Sequence, residues 1–143
     1  MRAWKQRRKV AHGFSLIEAV VVLVVLAVAV PASMIAIRDA TVQRSSAALA
    51  ARARCLAVEK IEDVIADRHS TTRGWSFLMA GNYPVESTIS GYAGFARSVS
   101  VVETGASLSG GGTGYKTVTV TVAWSDPRRG PTSLNLVTVL TDY

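Results

Sequence analysis

Between Glu18 and Arg38 the chain runs 19 residues without a formal charge, and nine of the eleven positions from Val20 to Val30 are Val or Leu. No other stretch of the 143 residues constrains the fold as tightly. Val is β-branched, and residues 20–25 alone fit a buried strand. Length decides otherwise. Strands run to about 10 residues, whereas roughly 20 apolar residues match a bilayer-spanning helix. Nine Val and Leu side chains at about −0.3 to −0.6 kcal/mol each contribute roughly 3–5 kcal/mol towards insertion. The run therefore predicts a membrane helix over 14–37. A cleaved secretory signal is the first competitor. It needs a shorter apolar core and a small-x-small site after it. Ala27-Val28-Ala29 and Pro31-Ala32-Ser33 are weak versions of such a site, and a carboxylate at the start of the core is unusual there.

The flanks of the run bring composition into play. Five of the sixteen basic residues (Arg2, Lys5, Arg7, Arg8, Lys9) lie in the first nine positions, so five of the formal +6 belong to this leader. The remaining chain carries about +1, which does not favour a nucleic-acid-binding surface. The basic block reads as a topology signal that keeps the N-terminus cytoplasmic. Glu18 stands at the edge of the apolar run. Such a charge costs about 2.5–3.5 kcal/mol at mid-bilayer and less near an interface. Two readings stay open on chemistry alone. Glu18 reaches water at the headgroup boundary, or it pairs with a cation. A cut after Gly13 would supply that cation, the new α-amino group of Phe14. Pro31 removes a backbone donor inside the run and is expected to kink the helix.

The stretch Lys9-Val10-Ala11-His12-Gly13-Phe14-Ser15-Leu16-Ile17-Glu18-Ala19-Val20-Val21 resembles the class III signal of type IV pilins and type II secretion pseudopilins. The resemblance implies that a prepilin peptidase cuts after Gly13 and methylates Phe14. It implies that residues 1–13 are a cleaved leader and that the apolar helix remains as an inner-membrane anchor. The C-terminal part is then periplasmic. It further implies that Glu18 pairs with the N-terminal amine of an adjacent subunit, and that the apolar helices bundle in a filament core.

Residues 38–68 predict an amphipathic continuation of the helix. Alanines favour it, and Leu49, Ala53, Leu56, Ala57, Ile61, Val64 and Ile65 follow the 3.6-residue period. Residues 14–68 would span about 80 Å if straight. Cys55, the single cysteine, excludes an intrachain disulfide and is expected to be a small packed residue. Residues 69–94 read as irregular, with Trp75, Phe77, Leu78 and Met79 as an apolar patch closing over the helix. A turn is expected at Gly81-Asn82-Tyr83-Pro84. Strands are expected at 95–103, 115–124 and 132–141, with a Gly-rich loop at 105–114 and a turn at 125–131. Val118, Val120, Val122 and Trp124 should share one face of the middle strand, and Thr117, Thr119 and Thr121 the other.

The predicted fold class is α+β: a long N-terminal helix, membrane-spanning in its first half, packed against a small antiparallel sheet over 69–143. A sheet this small without disulfides needs the helix as its second layer. The layout is similar to that of the pilin family. The final two strands resemble the C-terminal hairpin of the I-type pseudopilin and the V-type minor pilin. The chain lacks the C-terminal cysteine pair of major pilins and the terminal acidic cluster of major pseudopilins. It therefore resembles a minor component.

No catalytic chemistry is expected. Tyr115 separates Gly114 from Lys116, so the Gly-rich loop fails the P-loop spacing. His12 and His69 have no partners at metal spacing, and neither a metal nor a cofactor is expected. Arg128 and Arg129 lie in the hairpin turn, solvated or facing DNA or an acidic partner. The expectation is a minor pseudopilin of a type II secretion system. Its partners would be the prepilin peptidase, other pilin or pseudopilin subunits, the inner membrane and the assembly platform. The alternative is a minor pilin of a type IV pilus, acting in priming, adhesion or DNA uptake. A reading of another class is a single-pass anchored binding domain that never assembles.

Overall fold

A computed structural model describes residues 14–108 and 111–142. The chain divides into two compact units, residues 1–40 and 41–143, and each is taken by itself.

The first unit holds the start of one helix, α1 (Leu16–His69). The Ala19 N–H donates to the Ser15 carbonyl at 3.1 Å and opens the hydrogen-bonded ladder. Glu18 lies in the first turn, where a carboxylate complements the positive end of the helix dipole. Leu16, Ile17 and the Val/Leu side chains from Val20 to Val30 are exposed. A helix that is apolar all round and buries nothing is long and apolar enough to cross a membrane. The helical assignment runs unbroken through Pro31. Proline leaves the Ala27 carbonyl without its usual donor. Two residues on, the Ser33 hydroxyl donates to the Ala29 carbonyl at 2.8 Å.

The second unit is the α+β body. The remainder of α1 is followed by two short turns of helix, α2 (Gly74–Phe77) and a 3₁₀ turn (Ala80–Asn82). Three strands complete it: β1 (Phe95–Thr104), β2 (Tyr115–Asp126) and β3 (Gly130–Thr141). They form one antiparallel sheet in the order β1-β2-β3. The registers are regular, with Phe95 opposite Trp124 and Thr104 opposite Tyr115 in one pair, and Tyr115 opposite Thr141 and Asp126 opposite Gly130 in the other.

The core lies where the apolar stripe of α1 meets the inner face of β1 and β2. Ala53, Leu56, Ala57, Ile61 and Val64 are buried, with Leu49 and Ile65 packed at the margin. This is the expected helical period. From the sheet come Phe95, Val99, Val118, Val120, Val122, Trp124 and Leu140. The three central valines of β2 are fully buried. Alanines on the helix allow close approach, and β-branched residues on the strand fill the space. Phe95 and Trp124 stack with ring centroids 6.2 Å apart.

The structure corrects several expectations. Cys55 is exposed. It sits one residue before Leu56, about 100° round the helix from it, and so on the same side as solvent-facing Arg52 and Glu59. Of the patch expected to close over the helix, Leu78 is buried and Trp75 and Phe77 pack against the core, but Met79 is exposed. Residues 69–94 contain the two short helical turns as well as irregular chain. Tyr83, read only as part of a turn, is a buried core residue. The hairpin turn is shorter than expected. Asp126 pairs with Gly130 and Ser125 with Pro131, so only residues 127–129 lie outside the ladder. Gly130, at φ +73°, supplies the left-handed residue that lets the chain re-enter the strand so soon.

Leu78 and Met79 differ in burial though adjacent, and this separates packing from composition. Leu78→Ala should cost about 2–5 kcal/mol of unfolding free energy, whereas Met79→Ala should stay within about 0.5 kcal/mol. Denaturant unfolding of the full chain in detergent micelles, followed by tryptophan fluorescence, measures both. Equal losses would contradict the packing described here.

Candidate functional site

Of the residues expected to carry processing and assembly, Gly13 lies outside the described residues. Phe14 is exposed and precedes the helix, so its backbone is not held in the ladder. Glu18 is exposed in the first turn, four residues on. Neither side chain is committed to the core. Pro31 lies within α1, with no break in the assignment.

The polar residues of the second unit are organised differently. Arg97 points inward from β1 and is only 6% exposed. Its Nε and Nη2 donate to Glu86 Oε2 at 3.1 and 2.7 Å, and its Nη1 donates to the Leu56 carbonyl of α1 at 2.8 Å. Glu59 lies 3.8 Å from Nη1. The other oxygen of Glu86 accepts Lys60 Nζ at 2.7 Å. Glu86 also exchanges both backbone hydrogen bonds with Arg97, N–H to carbonyl, at 2.8 and 2.9 Å. One guanidinium thus joins the helix, the connecting segment and the sheet. Burial pushes the Glu86 carboxyl up, but the hydrogen bonds and charges of Lys60 and Arg97 outweigh it and hold the group below its usual range.

A second set fastens the connecting segment to the end of α1. The Tyr83 hydroxyl donates to Asp67 Oδ2 at 3.1 Å, and Arg73 reaches Asp67 Oδ1 at 2.7 Å. Burial, then the adjacent Asp67, raises the Tyr83 phenol above its ordinary value, so it stays a donor. Phe77 meets Tyr83 edge-on at 6.0 Å, and Arg73 lies over the Phe77 ring.

The inner row of β2 ends in charge at both sides. Lys116 is buried, donates to the Trp75 carbonyl at 2.8 Å and lies 4.6 Å from the centroid of the Trp75 ring. Asp126 is buried at the other end. Its Oδ1 accepts the backbone N–H groups of Arg128 and Arg129 at 2.8 and 3.1 Å, and the Ser46 hydroxyl at 3.1 Å. The Arg128 N–H foremost, with the Arg129 N–H and the Ser46 hydroxyl, holds its carboxyl low. The structure therefore uses the backbones of Arg128 and Arg129. Their side chains stand at the rim of an open cleft of about 480 Å³, also lined by Gln43, Ser46, Ala47 and Trp124.

These clusters lock elements together. Each carboxylate is met by donors, and none is paired with a nucleophile and a base. Among the described residues no group of three His, Cys, Asp or Glu stands at metal-holding spacing. The glycine-rich loop joins two strands of a hairpin, and Lys116 is turned into the core rather than towards the loop. Sequence reading missed Arg97, Glu86 and Lys116 as structural groups. The available signal was a basic residue on the inward parity of a strand, at Arg97 in phase with Phe95 and Val99, and at Lys116 in phase with Val118.

Both depressed carboxyls contribute stability that is complete above their ordinary values of 4.5 and 3.8 and is lost as pH falls through the lower folded-state values. The melting temperature of the full chain in micelles should be level above about pH 5 and decline progressively in more acidic buffer. Glu86→Gln should lower the melting temperature at neutral pH and flatten the acid decline. An acid decline as steep in E86Q as in the parent would remove Glu86 from this role.

A family model described as the prokaryotic N-terminal methylation motif matches residues 8–30. Among curated proteins and solved structures, none matches the chain. The matched segment takes in Gly13, Phe14, Glu18 and most of the apolar part of α1. The chain carries the prokaryotic N-terminal methylation motif, a class III signal consistent with the type IV pilin and pseudopilin family.

Proposed function

We propose that the protein is a non-enzymatic minor pseudopilin of a type II secretion system, a structural subunit of a short periplasmic filament that takes part in protein secretion. The observation that carries this reading is the conjunction of a methylation motif, an apolar N-terminal stretch of α1 that buries none of its surface, and a small α+β body with its own core. Before assembly the apolar surface is covered by lipid. In a filament it must be covered by other copies of the same kind of helix, because water would otherwise meet some 20 apolar side chains. Glu18 is the charge that makes the transfer selective. After cleavage behind Gly13, the Phe14 ammonium of one subunit and the Glu18 carboxylate of its neighbour neutralise one another in a low-dielectric bundle. An unpaired carboxylate there would be costly. The partners are then a prepilin peptidase, other pilin-like subunits and an assembly platform in the inner membrane.

The same conjunction supports a minor pilin of a type IV pilus. The C-terminal hairpin, which resembles the I-type pseudopilin and the V-type minor pilin alike, is common to both readings. Gene deletion separates them. Loss of protein secretion with normal twitching supports the pseudopilin, and loss of twitching with normal secretion overturns it.

Co-expression with a prepilin peptidase should yield a chain that begins at Phe14 and carries a methyl group on its amine, as read by intact mass. Retention of residues 1–13 would remove the filament reading and leave an anchored domain. Glu18→Ala should be cleaved normally yet fail to enter filaments. Normal incorporation of that variant would contradict the charge-pairing role.

A further inference from the structure

Within the second unit the turn at 127–129 lies beside the point where α1 enters, at Thr41. The Ser46 hydroxyl of α1 donates to Asp126 Oδ1 at 3.1 Å, and Gln43 lines one open cleft of about 480 Å³ together with Arg128 and Arg129. A volume of this order suits a small group rather than a helix or a duplex. Asp126 builds the turn. Its Oδ1 takes the Arg128 and Arg129 N–H groups at 2.8 and 3.1 Å, which fixes both backbones and leaves both side chains to the cleft. Among the described residues the ion pairs are made by Lys60, Arg73 and Arg97, and neither turn arginine takes part. Two guanidiniums therefore line the cleft against one carboxylate, that of Asp126. Trp124 lines it too, and its indole N–H is buried with no acceptor among the described residues. Such a donor is an unmet demand for an acceptor oxygen.

Chain length limits where this cleft can be. Gln43 follows Ile37, the last apolar residue of the run, by six positions. Six residues span about 22 Å at most, whatever the angle between the two units. The headgroup layer of a bilayer is itself about 5–8 Å deep on each side. We propose that this cleft binds the phosphate of an anionic lipid headgroup, and so docks the body on the membrane that holds its own anchor. Arginine meets phosphate oxygens in bidentate pairs, and two on one short turn can take a phosphodiester between them. The tether keeps headgroups at high effective concentration, whereas a second protein must first be recruited. Beyond the leader the chain carries about +1, which offers no basic track for nucleic acid. The inference rests on membrane anchoring by the apolar stretch of α1, not on filament assembly. For a filament subunit it adds a docked state that must be left before assembly.

The test uses the full chain in lipid nanodiscs, with Cys55→Ser and Ser133→Cys so that one thiol beside the turn carries a fluorescent donor. A headgroup-labelled acceptor lipid is held at the same level in discs of phosphatidylcholine and in discs with rising phosphatidylglycerol. Energy transfer should rise with the phosphatidylglycerol fraction. The docked-to-free ratio should fall about five-fold for each arginine removed by Arg128→Gln and Arg129→Gln. Circular dichroism should not change, because Asp126 binds only the backbones of these residues. Arg52→Gln with Arg54→Gln removes the same charge from exposed positions of α1 outside the cleft, and should leave the transfer at the parent level. An equal loss in that control would reduce the effect to general charge and overturn the site. So would release by micromolar oligonucleotide, or by inorganic phosphate beyond the effect of chloride at equal ionic strength, since either assigns the cleft to another ligand. A chain retained in phosphatidylcholine discs whose transfer ignores phosphatidylglycerol overturns this proposal alone. A chain that leaves those discs overturns the membrane anchor with it.

Discussion

A three-stranded sheet has one face too many. The body of this protein depends on covering that face with the second half of α1, and the closest part of the fit is the row Val118, Val120 and Val122 against Ala53, Ala57 and Val64, all without solvent exposure. Neither layer could stand alone: a sheet of this size exposes an apolar face, and the helix exposes an apolar stripe. Burial on this scale is non-directional, however. It brings the layers together without saying how they are aligned. Direction comes from the polar contacts at the rim. Arg97 fixes the sheet to a particular helical carbonyl, and Glu86 carries the connecting segment into the same bond set.

Those polar contacts also explain how little of the connecting segment is irregular in effect. Residues 69–94 have few regular hydrogen bonds, yet Tyr83, Leu78 and Glu86 each reach inward to a partner on the helix or sheet. The segment is held by anchors spaced along it. Each anchor is an aromatic, an aliphatic or a charged group, so no single periodicity marks them.

That difference sets what could be read from the chain. The apolar run, the stripe on α1 and the alternation of β2 are each a repeated signal over several turns or residues, and each appears in the structure where the pattern puts it. Buried Arg97 and Lys116 were not legible, because a lone basic residue on an inward parity reads as an exposed one until its acceptors are known. Cys55 was misplaced by weighing residue type above helical phase. The methylation motif was legible for the opposite reason. Gly13, Phe14 and Glu18 stand at local spacing ahead of an apolar run, inside the segment that the motif matches, and such a pattern needs no tertiary partner to be recognised.

The charged ends of β2 have one more consequence. Its interior, Thr117-Val118-Thr119-Val120-Thr121-Val122, repeats every two residues. A slip of two along either neighbour would leave threonine out and valine in, so the hydrophobic pattern cannot tell the correct alignment from its nearest error. Lys116 and Asp126 break that degeneracy. A two-residue displacement would carry the ammonium away from the Trp75 carbonyl and the carboxylate away from Ser46. The two buried charges act as end-stops on an otherwise sliding ruler.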